Sequence, residues 1–577
     1  MNFKIDKIFL LLVLILTIGF FLRFYQLGNI PLGLFNDEAN TGYDSYSMLL
    51  TGKDQWGTLL PFTNFKGFGD YPPPIYRYLT TIPIFFFGLS EFSVRFISAL
   101  AGLLSIGVLY FLTKKLFNDK IAIFSSLMFA IMPWAVGLSR VGIESNLAIF
   151  FTLLALFFGF RSSEEKRRRN LSISAILLGV GVYTYSAYLL LAPLLLLIIC
   201  FENFYKNKFK IKNFIFPFLI FILIIAPVLI NKSSASIRLS QVGLTTNVNS
   251  IGLLDNLNMQ RGSCLESFPS ALCKVINNKP LVFTSTFVKN YISHFSVGFL
   301  YINGNPTQYS ILENRGVDYM FGIIFLLFGL YFLIKVNKNT KIPLIVILLL
   351  LLSPVPDALT SDGNFSRASA MQPFIALISG LGLYYLFTTL SLLKNPYIKK
   401  IGILILVFIV SFSVVSFYIR YVTYFKTNYS TFSQFGYKDL MTRVNKEKKN
   451  YDEIYISRHL NDTKQYIYFL FFNKYDPIKY QSKNDVAYKN DLDGWVSVDR
   501  IDNINFIEND SLLRRDGTKS RKRILLIEHP NDIPASLDYV FLVKDKLGNV
   551  MFKAIDLSDL LEYDENNKKL LDENIQF

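Results

Sequence analysis

Ten uncharged apolar runs of 15 or more residues punctuate this chain, at 8–22, 96–113, 121–139, 145–160, 171–201, 213–231, 319–334, 342–356, 368–393 and 401–419. Crossing ~30 Å of hydrocarbon takes ~20 apolar residues, so a chain built this way reads as a polytopic membrane protein. The 171–201 run, 31 residues long, is too long for one ordinary crossing. Its most polar stretch, Tyr183-Thr184-Tyr185-Ser186, predicts two helices meeting there and eleven spans in all. The stretch 78–90 is short, follows Arg77 and contains Pro83, which predicts an interfacial segment rather than a twelfth span.

The segments between the runs alternate in charge. With the N-terminus inside, the inner segments hold twenty Lys and Arg, whereas the short turns near 140–144, 183–187 and 357–367 hold only Arg140 and Arg367. Positive residues collect on the cytoplasmic side. The expected topology is therefore a cytoplasmic N-terminus in the plasma membrane, with long outer loops at 23–95 and 232–318 and an outer tail. No small-residue cleavage site follows the first run, so it reads as an uncleaved helix. The net charge of +16 sits in short blocks that orient a membrane protein, which argues against nucleic-acid binding.

The expected fold class is mainly α, a helical membrane bundle over 1–420 followed by an extracytoplasmic α/β domain over 421–577. The tail is rich in Asp, Asn and Lys and carries strand-like runs at 454–456, 466–472, 524–527 and 539–543. A hairpin turn is expected at Asp545-Lys546-Leu547-Gly548-Asn549. Cys200 reads as an apolar core residue. Cys264 and Cys273, nine apart in one outer loop, read as a disulfide if that compartment is oxidising. The histidines His294, His459 and His529 are scattered without ligand spacing, so no metal site is expected, and a divalent cation stays open.

Few charges stand beside the spans on the outer side. Asp37-Glu38 lies a dozen residues past the first run, and Asp70 precedes Tyr71-Pro72-Pro73-Pro74, a stiff extended segment able to hold a side chain at the membrane surface. Two solvated loop acids, or an acidic first turn of a helix, would explain Asp37-Glu38 equally well in isolation. Arg95 reads as a snorkelling residue at the start of the second run. Arg140 and Arg367 run against the charge trend, which favours an anionic partner such as phosphate. Glu144, four residues after Arg140, is as good a partner for it.

The order of first span, Asp-Glu, an acid before a proline run, and Arg95-Phe96-Ile97-Ser98-Ala99-Leu100 resembles the membrane glycosyltransferases of the protein O-mannosyltransferase and aminoarabinose-transferase superfamily, whose fold is called GT-C. The resemblance continues in Ser139-Arg140-Val141-Gly142-Ile143-Glu144-Ser145-Asn146, in the 183–186 turn and in Asn364-Phe365-Ser366-Arg367. It covers the membrane part and leaves the tail unassigned. It implies transfer of a sugar from a polyprenyl-phosphate carrier to an acceptor hydroxyl of a protein, lipid or glycan on the outer face. It makes Asp37 the general base, Glu38 and Asp70 its neighbours, and Arg367 with Arg95 or Arg140 the clamp on the lipid phosphate. Tyr71, Glu144 and Tyr185 become substrate-binding positions. Where aminoarabinose transferases carry Glu-Lys before the prolines, this chain has Asp70-Tyr71, so position 71 lacks a cation.

The chemistry fits the placement. Transfer to a hydroxyl needs a carboxylate to take the proton, and cations stabilise the departing phosphate. No inner loop is large enough to build a nucleotide-sugar site. A polysaccharide polymerase or ligase, with its site in 232–318, is the nearest rival. A transporter would place charges at mid-membrane, and these runs have none.

Overall fold

The computed structural model describes residues 7–162, 166–206, 212–231, 247–304, 315–336, 340–427, 434–458, 464–490, 495–508 and 522–575. Of the twenty inner cations counted above, Lys4, Lys208, Lys210 and Lys338 lie outside the described residues, as does His459.

The chain opens with α1 (Lys7–Phe24), whose 18 mostly apolar residues extend about 27 Å at 1.5 Å per residue. The loop after it holds α2 (Asn36–Thr51) and α3 (Ile75–Phe87). Then come α4 (Glu91–Leu116), α5 (Asp119–Ile131), α6 (Pro133–Ser139), α7 (Glu144–Arg161), α8 (Arg167–Val182), α9 (Tyr188–Lys206) and α10 (Lys212–Ile230). Pro133 breaks the run over 121–139, and α5 and α6 meet at 58°. The 171–201 run is broken at Tyr183–Ala187, between α8 and α9, in the polar stretch where the sequence placed a turn. Three helices, α11 (Asn247–Leu265), α12 (Ser270–Ile276) and α13 (Lys279–Ser293), occupy the second long loop, where Cys264 and Cys273 are bonded. The bundle closes with α14 (Gly322–Val336), α15 (Ile342–Leu352), α16 (Val355–Ala358), α17 (Gln372–Ser391) and α18 (Pro396–Thr427).

Each expected span coincides with a helix or helix pair. Among the described residues six helices are long and apolar enough to cross a membrane, or seven if the bent pair is one span, and four further apolar helices are shorter. The helix α3 is one of these short ones, and it presents Phe85, Phe86 and Phe87 outward.

The tail folds around a seven-stranded sheet: β1 (Glu453–Ser457), β2 (Val486–Asn490), β3 (Val496–Ile501), β4 (Ile504–Ile507), β5 (Ile524–Glu528), β6 (Phe541–Lys544) and β7 (Val550–Asp556). Its order is β2-β3-β4-β1-β5-β7-β6. β1 runs parallel to both β4 and β5, and the other pairs are antiparallel. The turn between β6 and β7 is the Asp545–Asn549 hairpin, whose Asp545 carboxylate accepts the Leu547 and Asn549 amides at 2.8 Å. Helices α19 (Tyr437–Glu447), α20 (Tyr466–Phe472) and α21 (Pro477–Ser482) cover one face, and α22 (Leu557–Ile575) packs on the other.

One expected strand is a helix. Residues 466–472 form α20, because an unbroken apolar run carries no period that separates a buried strand from a buried helix. Six of its seven residues are buried, wedged between the sheet and α2. The 23–95 loop and the tail also share one apolar core: Leu34, Ala39, Tyr43 and Phe68 pack with Tyr437, Phe471 and Val543. Main-chain bonds cross the same seam, from Val496 N–H to the Phe68 carbonyl at 2.8 Å. Side-chain bonds add to it, from Tyr43 to the Tyr475 carbonyl at 3.0 Å and from Gln481 to Ser47 at 2.8 Å.

Candidate active site

Helix α2 presents the acidic pair. It starts at Asn36, so Asp37 and Glu38 fall in its first turn, where helix N–H groups favour negative charge. Successive helical residues point about 100° apart, and the two acids part company. Glu38 is fully buried and Asp37 is exposed.

The sequence places Glu38 beside Asp37 in the sugar or acceptor site, and Arg95 as part of a phosphate clamp. In the structure the two side chains pair with each other. Glu38 takes a bidentate bond from Arg95, 2.8 Å from Nε and 3.1 Å from Nη2, both side chains fully buried. It also accepts the Gly142 amide at 2.7 Å and the Phe35 amide at 3.2 Å. Arg95 spends its other donors on the carbonyls of Leu27, Pro31 and Gly33 at 3.2, 2.9 and 2.7 Å. A buried pair holds only when its remaining donors and acceptors are satisfied, and here they are. The pair fastens α2, α4, the 27–33 loop and the 140–144 turn to one another, which fixes the direction in which Asp37 points. Gly142 is required for the approach: a Cβ there would lie 2.7 Å from Val94 and 3.2 Å from the Glu38 carboxylate.

Arg140 is likewise held by protein groups. It is fully buried and donates to the carbonyls of Leu22, Tyr25 and Ile30 at 2.9, 2.7 and 2.9 Å, with its guanidinium 5.5 Å from the Tyr421 ring centroid. Glu144 opens the separate helix α7. Arg23 does the reciprocal job, reaching from the end of α1 to the carbonyls of Ala130 and Phe129 at 2.9 and 3.3 Å and to Ser139 at 3.2 Å. Helix C-termini leave carbonyls unsatisfied, and these two arginines each satisfy those at another segment's end. An arginine spent in this way is indistinguishable in sequence from one aimed at phosphate.

Asp70 stands near α2. Gly67, at φ +50°, would place a Cβ 2.4 Å from the Asp70 carboxylate and 3.2 Å from the Asn40 amide, so both groups crowd one glycine. Asn40 lies three residues after Asp37 and so on the same side of α2. Tyr71 is half-buried and sits at φ +51°, a left-handed conformation that costs a non-glycine residue ~1–3 kcal/mol. Its carbonyl is held by Asn64 at 2.8 Å. A second buried ion pair, Arg77 to Asp44 at 3.1 Å, ties α3 to α2.

The third group of residues comes together around Tyr185. Its hydroxyl is pushed up to about 12 by burial, against the pull of the Arg367 charge and with the push of Glu144 and Asp357, and it bonds Ser366. Glu144, Tyr185 and Arg367, far apart in sequence, are thus neighbours. Arg367 is half-buried and donates to Thr360 at 3.1 Å, and among the described residues no acid pairs with it. Asn364 builds its turn, accepting the Ser366 and Arg367 amides at 3.0 and 3.1 Å. Asp357 closes the loop by accepting the Asn364 amide and the Ser361 hydroxyl, each at 2.6 Å. His294, fully buried, holds Asp357 at 2.9 Å and is anchored at the Asn290 carbonyl at 2.7 Å. Neither His294 nor Asp357 stands out in the sequence, since their partner lies 63 residues away. Among the described residues no cluster of three His, Cys, Asp or Glu could hold a metal ion.

Residues 71–231 match the model of the dolichyl-phosphate-mannose-protein mannosyltransferase family. Over the whole chain the structure resembles ArnT from Cupriavidus metallidurans bound to undecaprenyl phosphate, covering 94% of this chain and 97% of that one at TM-score 0.52 and 11% identity. The chain is a membrane protein of the GT-C fold. Among curated relatives, 209 residues are 29% identical to "Putative mannosyltransferase YkcB" of Bacillus subtilis, 35% of this chain and 28% of that protein. A further 29% identity, over 130 residues, links the chain to the undecaprenyl phosphate-alpha-4-amino-4-deoxy-L-arabinose arabinosyl transferase of Wigglesworthia glossinidia brevipalpis, 21% of this chain and 23% of that one. This GT-C chain therefore spans about a quarter of the length of these two relatives.

Proposed function

We propose that this GT-C protein is an integral-membrane glycosyltransferase that moves a sugar from a polyprenyl-phosphate carrier to an acceptor hydroxyl of a protein, lipid or glycan on the outer face. The observation that carries this reading is the division of labour at α2: Glu38 is buried against Arg95 and so turns Asp37 outward from a rigid frame. In the reaction Asp37 takes the acceptor hydroxyl proton as the new bond to the sugar C1 forms. The bond from C1 to the phosphate oxygen breaks, and its electron pair leaves with the lipid phosphate.

Arg367 receives that phosphate. Arg95 and Arg140 are spent on protein partners, whereas Arg367 keeps donors for a ligand and stands beside Tyr185 and Glu144. Guanidinium suits the task because it grips phosphate through paired bonds. Asp70, Tyr71, Glu144 and Tyr185 line the substrates' approach. The charge asymmetry of the sequence supports eleven crossings, a cytoplasmic N-terminus and an extracytoplasmic tail. The division at 420–421 is supported by the composition change, with the 23–95 loop clasped to the tail.

Mass spectrometry of glycans and lipid carriers from cells with and without the protein tests the activity. Cells lacking it are expected to lose one glycan modification and to accumulate the sugar-loaded carrier. An unchanged carrier pool and glycan profile would overturn the proposal.

A further inference from the structure

An arginine can bind phosphate only while no protein carboxylate satisfies it, because carboxylate and phosphate offer a guanidinium the same paired geometry. Arg367 stands within one hydroxyl of such a carboxylate. Its Nη1 donates to the Thr360 hydroxyl at 3.1 Å, and that hydroxyl turns to Asp357, 3.0 Å from the carbonyl and 3.3 Å from Oδ1. Arg367 and Asp357 both act on the Tyr185 hydroxyl, with opposite sign. Yet the ion pair of Asp357 is with His294.

That pair is closed on every side. Both side chains are fully buried. A carboxylate has about four acceptor directions, and the surroundings of Asp357 fill them. Oδ2 faces the His294 Nε2 at 2.9 Å and accepts the Asn364 amide at 2.6 Å, while Oδ1 accepts the hydroxyls of Ser361 at 2.6 Å and of Thr360. The His294 Nδ1 faces the Asn290 carbonyl at 2.7 Å. A carbonyl only accepts, so one proton sits on Nδ1, and the contact from Nε2 to Asp357 needs a second. Imidazole protonated on both nitrogens is a cation. Wherever along that contact the second proton rests, the pair is neutral as a unit. The ring is also held in place. His294 follows the last residue of α13, whose final turn clasps the same loop: Asn290 donates to the Ala358 carbonyl at 3.2 Å and Ser293 to the Asp362 carbonyl. The Phe299 ring meets the imidazole edge-on at 5.9 Å.

We propose that His294 is a positioning residue for the donor phosphate: by neutralising Asp357 it keeps Arg367 from turning to that carboxylate and leaves the guanidinium to the lipid phosphate. The proposal rests on the reading of Arg367 as the phosphate-binding residue. Removing the His294 charge would leave a buried carboxylate without a countercharge, which is strongly unfavourable. Arg367, already joined to Asp357 through Thr360, is the cation that would satisfy it. The effect of His294 on the reaction thus passes through Asp357 to Arg367, without contact to either substrate.

Native mass spectrometry of the full-length protein in detergent, titrated with farnesyl phosphate, tests this. His294→Gln keeps a donor for Asp357 but removes the charge, and should bind farnesyl phosphate about tenfold more weakly or worse, the worth of a hydrogen bond to a charged group. Adding Asp357→Asn removes the competing carboxylate, so His294→Gln/Asp357→Asn should recover most of that loss. A histidine that merely held the fold together would give the opposite order, since the second substitution loosens the same turn further. Arg367→Ala checks the underlying reading and should also bind about tenfold more weakly or worse. Affinities are compared among variants that melt above the titration temperature, and His294→Asn stands beside His294→Gln in case one does not fold. Unchanged binding by Arg367→Ala would overturn the assignment of Arg367 and this inference with it. Weakened binding by Arg367→Ala with wild-type affinity in the His294 variants would overturn the inference alone. So would a loss in the His294 variants that Asp357→Asn does not recover.

Discussion

At the residue scale, adjacent acids have opposite fates. Asp37 and Glu38 look alike in sequence, but one faces outward and the other neutralises a buried arginine. This gives an ordered expectation. Glu38→Gln leaves Arg95 buried without its full countercharge and should destabilise the protein by about 3–5 kcal/mol, as breaking a buried pair does. Asp37→Asn, on an exposed side chain, should stay within about 0.5 kcal/mol of wild type. Thermal unfolding of the two purified variants in one detergent checks this, and equal melting of both would contradict the assignment of Glu38 to the frame. The acidic pair and the Asp70-proline segment stood out in the sequence because charge beside a span is rare. The protein partners of Arg95 and Arg140 did not. Nothing local distinguishes a guanidinium that will meet three carbonyls of another helix from one that will meet phosphate. His294 and Asp357 were invisible for the same reason, since their meaning is a contact across 63 residues.

At the element scale, the apolar runs marked every helix of the bundle, and the polar turn at 183–187 was marked by its own composition. The sheet's hairpin at Asp545–Asn549 was legible because a turn has local chemistry. The helix α20 was misread because burial on all sides erases periodicity. In the second long loop, the Cys264–Cys273 bond joins the end of α11 to α12. A cross-link of this kind contributes about 2–4 kcal/mol to local stability. Cys264→Ser/Cys273→Ser should therefore be cut faster by trypsin at Lys274 than wild type, with the rest of the cleavage pattern unchanged. Equal cleavage rates would show that the helices hold without the bond.

At the scale of the whole molecule, the shared core between the 23–95 loop and the tail ties the proposed catalytic helix to the sheet domain. The two must therefore lie on one side of the membrane. In the proposed topology, which rests on the charge asymmetry of the sequence, that side is the outside. A cysteine placed at position 500, on β3, should react with a membrane-impermeant reagent added to intact cells. Labelling there only from the cytoplasm would invert the topology and remove the proposed site from the outer face.

The central claim, that Asp37 is the base of a lipid-phosphate-dependent transfer, is tested most directly by the purified full-length protein assayed with lipid carrier and acceptor extracts from its own cells. Asp37→Asn preserves size and should preserve melting, yet transfer is expected to fall ~10²–10⁴-fold, the usual contribution of a general base. Near-full transfer by Asp37→Asn, together with its abolition by a substitution in 232–318, would contradict the account and favour a polymerase-like site in that loop.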